Sequence, residues 1–167
     1  MPNPIPIKRA KSLVLLSRDH HTGLLVVWKI RQGLQLDIAT DRIVDFIIHA
    51  FEQEEEPHFC EEESLLFAAL PANDEWRLKA ESDHAATRKI VAELKATNNA
   101  AATDIQAFAN TLEAHIRFEE RIFFPYFEKT VSPAILEETG RKLEEDYRTK
   151  TPFVWQDEFW INPKQNR

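Results

Sequence analysis

Two stretches of the chain carry the same cation-binding residue types in the same order. "PHFCEEESLLF" spans residues 57–67 and "AHIRFEERIFF" spans residues 114–124. Each reads His-x-x-x-Glu, then a second Glu, then shortly afterwards two apolar residues and Phe. Residues four apart are neighbours on a helix surface, so an imidazole and a carboxylate at that spacing can grip one ion or bridge two. A carboxylate facing a core without a partner is costly, and a divalent cation removes that cost. The repeat therefore predicts one metal site, with half supplied by each phrase.

Punctuation gives the elements that would position these residues. A first periodic segment runs from about Lys11 to Gln32 and is expected to stop at Gly33. A second begins after Thr40, a plausible N-cap, and reaches about Ala69 before Pro71. A third opens at Asn73 or Asp74 and fades at "ATNNA", and a fourth starts after Thr103 and runs to about Glu128. Ser132 and Pro133 read as the N-cap and first position of a shorter helix ending near Tyr147. Pro57 and Pro125 fall inside the second and fourth segments, where each removes a backbone hydrogen bond and should bend the helix. The prediction is an all-α, antiparallel up-down-up-down four-helix bundle over about residues 11–129. A short C-terminal fifth helix and an irregular aromatic tail fill 130–167, within a single domain spanning 1–167.

At about 100° per residue, Leu13, Leu16, Leu24, Val27 and Leu34 share a stripe with His20 at its centre. His21 lies roughly 100° away, towards Trp28. The second stripe holds Val44, Ile47, Phe51, His58, Glu62, Leu65 and Ala69. The fourth holds Phe108, Thr111, Leu112, His115, Glu119, Ile122 and Tyr126. In the third helix His84 shares a face with Ala80, Thr87 and Val91, while His49 points away from the core on the second. Four imidazoles and two carboxylates are thus expected to converge inside the bundle. Glu52 to Glu56 read mostly as a solvated face, with Glu54 and Glu55 flanking the stripe, where they could stand behind the inward residues. Phe51 and Phe108 read as plain core.

Composition sets the frame. A chain of 167 residues with 43% hydrophobic and 29% charged residues suits one soluble globular domain, and three glycines are few for a turn-rich β-protein. A formal net charge of -7 argues against nucleic acid or an anionic membrane as partner. The lone Cys60 can form no internal disulfide, faces away from the stripe and reads as packing. Prolines interrupt the N-terminal stretch where an export signal needs a continuous apolar run, and no segment approaches a membrane span. A cytoplasmic protein is the expectation.

These motifs resemble the hemerythrin-like family of HHE cation-binding domains. The resemblance rests on "LSRDHH", "HFCEEESLLF", the Asp83-His84 pair and "HIRFEERIFFP", and covers about Leu13 to Phe127. It implies a non-haem centre of two iron ions, although zinc or manganese would also suit the ligand types. By position it implies His20, His58, His84 and His115 as imidazole ligands, and Glu62 and Glu119 as bridging carboxylates. His21 would replace His20 if the first helix rotates, and Glu61 is the alternative to Glu62. The oxygen-carrying members have His-x-x-x-His on the third helix, whereas here Arg88 stands four residues after His84. That departure implies an open ligand position and counts against simple oxygen transport, unless Arg88 reaches solvent and pairs with Asp83 or Glu81.

Three functions fit. The first is a protein that binds or senses oxygen, nitric oxide or peroxide, or handles iron. The second is a di-iron oxidoreductase reducing peroxide, although no separate general base is legible. The third is a non-catalytic metal store or a zinc-stabilised interaction module. The aromatics Phe153, Trp155, Phe159 and Trp160 could serve a homodimer or partner surface, with packing on the bundle as their ordinary fate.

Overall fold

The four long segments fold as helices whose apolar stripes face one another, in an all-α bundle with up-down-up-down order. The computed structural model describes residues 8–161. Helix α1 is Val14–Gln35, and the second long helix is α2 (Thr40–Ala50) continued by α3 (Glu56–Leu65). Helix α4 is Glu75–Ala96, and the last long helix is α5 (Ala102–Phe118) continued by α6 (Phe124–Thr130). Helix α7, Pro133–Tyr147, packs across the start of α1. The first residues of the proline-rich start and the last of the tail lie outside the described residues. No helix described is long and apolar enough to cross a membrane.

Several ends follow their sequence signals. The Asp74 carboxylate accepts from the N–H groups of Trp76 and Arg77 at 3.1 and 2.9 Å, which caps α4. Ser132 Oγ accepts from the Ile135 N–H at 3.3 Å, with Pro133 opening α7. Others differ. Thr40 is already inside α2, and Ala39 occupies the cap position without a side-chain acceptor. Helix α5 opens at Ala102, one turn behind an Asp104 carboxylate that accepts from the Ala101 N–H at 3.0 Å. Gly33 does not end α1. The chain turns at Asp37, which takes φ 52°, and Gly33 is buried inside the helix. A Cβ there would sit 2.7 Å from Phe159 Cε2, so this glycine is a notch for the tail.

Both prolines act through a widened helical turn. Phe51–Glu55 and Glu119–Phe123 are π-turns, closed by Glu56 N–H to Phe51 C=O and Phe124 N–H to Glu119 C=O. Pro57 and Pro125 follow immediately. Each has no N–H to give an α-helical ladder, and the five-residue bond comes from the residue just before it. The extra residue in the turn advances the inward face by one position. The fourth stripe, expected at Ile122 and Tyr126, falls instead on Phe123 and Phe127, leaving Ile122 42% exposed. In the second helix Glu55, read as flanking the stripe, turns fully inward and is buried, and Leu66 and Phe67 replace Leu65 and Ala69 as the buried pair.

The core has two apolar halves. One gathers Val26, Ile30, Phe46, Ile47, Phe59, Phe108 and Leu112, and the other Leu13, Leu16, Leu66, Phe67, Phe123, Phe124 and Phe127. The aromatic tail closes the first half. Phe153, Trp155, Phe159 and Trp160 ring Phe46 at centroid distances of 6.0, 5.8, 5.4 and 5.5 Å. Arg42 pairs with Asp157 at 2.6 Å, and Glu54 accepts from the Phe153 N–H at 2.9 Å. Cys60 faces outward as expected, but it is exposed rather than packed. Phe159 is the anchor of the tail at 4% exposure. Phe159→Ala should therefore cost about 3 kcal/mol in urea unfolding, because it empties the notch at Gly33 as well as removing the ring. A loss below about 1 kcal/mol would mean the tail adds little to the fold.

Candidate metal centre

All six residues singled out by phasing meet in one layer between the two apolar halves. His20 comes from α1, His58 and Glu62 from α3, His84 from α4, His115 from α5 and Glu119 from the π-turn after it. None is more than 3% exposed. His20 Nε2 stands 3.0 Å from Glu119 Oε2 and 3.7 Å from Glu62 Oε1. His58 Nε2 and His84 Nε2 each lie 3.2 Å from Glu62, on Oε1 and Oε2 respectively. His115 Nε2 lies 3.2 Å from Glu119 Oε2. The imidazoles form two edge-on pairs, His20 with His58 and His84 with His115, each with centroids 4.8 Å apart.

The result is two cradles that share both carboxylates. His20, His58, Glu62 and Glu119 form one, and Glu62, His84, His115 and Glu119 form the other, with all donor atoms of a cradle within 4.8 Å of one another. His21 is exposed and Glu61 reaches Lys150 at 3.4 Å, so neither enters the layer. His49 is exposed and bonds the Asp45 carbonyl.

Sequence reasoning missed the groups behind the imidazoles. His20 Nδ1 donates to Glu120 and His84 Nδ1 to Glu63, at 2.7 and 2.8 Å. His58 Nδ1 and His115 Nδ1 face Asp19 and Asp83, each at 3.5 Å. Each acid is held in turn by a cation: Glu120 by Arg9 at 2.6 Å, Glu63 by Arg88 at 2.7 Å, Asp19 by Lys150 at 2.6 Å, and Asp83 by Lys79. The signal was present in the second Glu of each phrase and in the Asp before His20 and His84. Carboxylates behind imidazoles fix which nitrogen carries the proton and leave Nε2 free to face inward. Arg88 therefore does not bring positive charge into the layer. It chelates Glu56 and holds Glu63, rather than Asp83 or Glu81. Stacking sets the ring planes, with Phe59 3.8 Å over His84 and Phe124 5.1 Å over His20.

The charges are strongly linked. Burial alone would lower the imidazole pKa values, yet contacts with Glu119 and Glu120 raise His20, and the Glu62 charge with Asp19 raises His58 well above its usual value. His115 is pushed to about 10, burial being outweighed by Glu119 and Asp83. Burial and the Glu119 charge would raise Glu62, but His58 and His84 hold it low, while His115 and His20 hold Glu119 lower still. Glu120 drops to about 2 because His20 and Arg9 outweigh its burial. A neighbour of the layer behaves oppositely: burial lifts Glu55 to about 7.

The donor set fits a pair of cations. The Nε2 atoms of all four histidines and all four oxygens of Glu62 and Glu119 are buried without a hydrogen-bond partner. Such a concentration of orphaned atoms is costly unless ions satisfy them. Mixed imidazole and carboxylate donors suit iron, manganese or zinc.

The sequence matches the family model described as the hemerythrin HHE cation binding domain over residues 16–127. No curated protein and no solved structure matches the chain.

Without an ion His20, His58 and His115 hold protons through neutral pH, since their pKa values are raised. A cation must displace those protons, so affinity should rise with pH across the neutral range. Calorimetric titration with ferrous ion in two buffers of different ionisation enthalpy should report net proton release. Equal heats in both buffers would mean the imidazoles are already neutral.

Proposed function

The chain belongs to the hemerythrin HHE cation-binding domain family, and within it we propose that this protein holds two iron ions and presents them to a small diatomic or peroxide ligand. His20, His58, Glu62, His84, His115 and Glu119 would be the ligands, with both carboxylates bridging. The observation that carries this reading is the set of eight inward donor atoms that have no protein partner. Two imidazoles and two shared carboxylates per ion leave coordination positions open, as in non-haem iron sites that meet oxygen. When bound, the iron pair would supply those open positions and one-electron redox chemistry.

The rest is work for the chain's own groups. Glu120 and Glu63 accept the Nδ1 protons of His20 and His84, and Asp19 and Asp83 face Nδ1 of His58 and His115 at 3.5 Å, so that each Nε2 lone pair would point at the ions. The outer cations keep those four acids ionised. Phe59, Phe67 and Phe124 pack on the imidazoles and keep water from the layer. Both ions would sit in similar donor sets, since the residue four after His84 is Arg88, which has no lone pair to offer and is tied to Glu56 and Glu63. Peroxide reduction would require a proton donor beyond the ligands.

Protein purified without added metal decides the matter by elemental analysis together with its optical spectrum in air and after reduction. About two iron ions per chain, with a near-ultraviolet charge-transfer band that fades on reduction, are expected. Colourless protein carrying zinc would replace this reading with a metal-stabilised interaction module.

A further inference from the structure

The ligand layer leaves one buried carboxyl unaccounted for. Glu55 ends the first π-turn and is 4% exposed, yet no hydrogen bond or ion pair holds it among the described residues. It lies against Gly23: a Cβ on that glycine would stand 3.1 Å from Glu55 Oε1, 3.4 Å from Oε2 and 2.8 Å from Ile116 Cδ1. Gly23 is one helical turn beyond His20, Glu55 is one turn before His58, and Ile116 adjoins His115. The carboxyl therefore occupies the layer next to the His20–His58 cradle. The charges of His58, His20 and His115 all act on it, although it belongs to neither four-donor group.

The internal repeat makes this placement informative. In the other half, the residue three beyond His84 is Thr87, whose hydroxyl donates to the Asp83 carbonyl at 2.9 Å. The residue three before His115 is Leu112, fully buried. There the corresponding layer is closed by a threonine and a leucine. At the His20–His58 cradle the same two positions hold a glycine and a glutamate. The missing side chain at Gly23 is what leaves room for the carboxyl, so the two cradles differ at both of these positions.

We propose that Glu55 is a ligand-recognition residue, whose carboxyl donates a hydrogen bond to a small anion held at the cation of the His20–His58 cradle. This rests on the cation-pair reading above. Burial with no side chain donating a hydrogen bond to it outweighs the pull of the nearby imidazoles and favours the neutral acid, and a neutral carboxyl is a donor. An anion at the neighbouring cation would be the partner that the protein itself withholds. A glutamine could donate in the same place, and a leucine could not. The asymmetry directs the anion to one cation of the two.

The test uses azide as the anion, with wild-type protein, Glu55→Gln and Glu55→Leu loaded to equal iron content. Titration followed by the charge-transfer spectrum should give Glu55→Gln within about threefold of wild type, and Glu55→Leu weaker by about tenfold or more. Infrared spectra of the metal-free proteins provide a second readout. Wild type should show the carbonyl band of a buried neutral carboxylic acid, and both variants should lack it. Equal azide affinity in all three proteins would overturn the proposal. So would loss of iron from Glu55→Gln, which would make Glu55 a ligand rather than a partner. Wild-type protein that takes up no iron would overturn the cation-pair reading first, and this proposal with it.

Discussion

Two carboxylates without exposed surface, Glu62 and Glu119, set the terms for everything around them. An ionised carboxylate in an apolar interior is tolerated only if paired, hydrogen-bonded or bound to a metal. Among the described residues neither has a hydrogen-bond partner, and the charged groups that approach them are the inward nitrogens of four imidazoles. Those nitrogens can compensate the carboxylates in one of two ways, by carrying protons or by sharing cations. The raised imidazole pKa values describe the first state, and membership of a cation-binding family points to the second. The four acids behind the rings, and the cations behind those acids, serve either state by keeping Nδ1 as the donor.

This constraint reaches into the backbone. A straight α-helix keeps one stripe inward, and an inserted π-turn moves the stripe by one residue. Both turns lie where the layer is built. The second begins at Glu119 itself and lets that carboxylate face in while Phe123 and Phe127 continue the core beyond it. The first brings Glu55 inward one turn before His58. The prolines that follow stabilise the widened turns by withholding the N–H that an α-helical ladder would use. Apolar layers on either side then exclude water from the charged one. The tail contributes from a distance, since Lys150, just after α7, holds Asp19, which faces His58.

Much of this was legible in the sequence because it obeys helical periodicity. The four long helices, the cap at Asp74, the Ser132–Pro133 start and all six inward polar residues follow from spacing at 3.6 residues per turn. Phasing also placed His49 outside and favoured His20 over His21. What was not legible depends on contacts between segments distant in the chain. Gly33 reads as a helix stop until Phe159 is known to fill its notch. Arg88 reads as pairing with Asp83 or Glu81 until Glu56 and Glu63 are seen to hold it. Glu55 reads only as flanking the stripe, because a π-turn shifts the phase in a way that spacing alone does not announce. The acids Asp19, Glu63, Asp83 and Glu120 were written beside His20, Glu62, His84 and Glu119, but their role appears only when the helix that owns each acid is found beside the histidine of another.

The central claim is that one buried layer holds two cations between shared carboxylates. Anomalous scattering at the iron absorption edge, measured on crystals of iron-loaded protein, tests it most directly. Two close peaks are expected, one between His20 and His58 and one between His84 and His115, with Glu62 and Glu119 spanning both. A single peak, or none in protein supplied with iron, would contradict it.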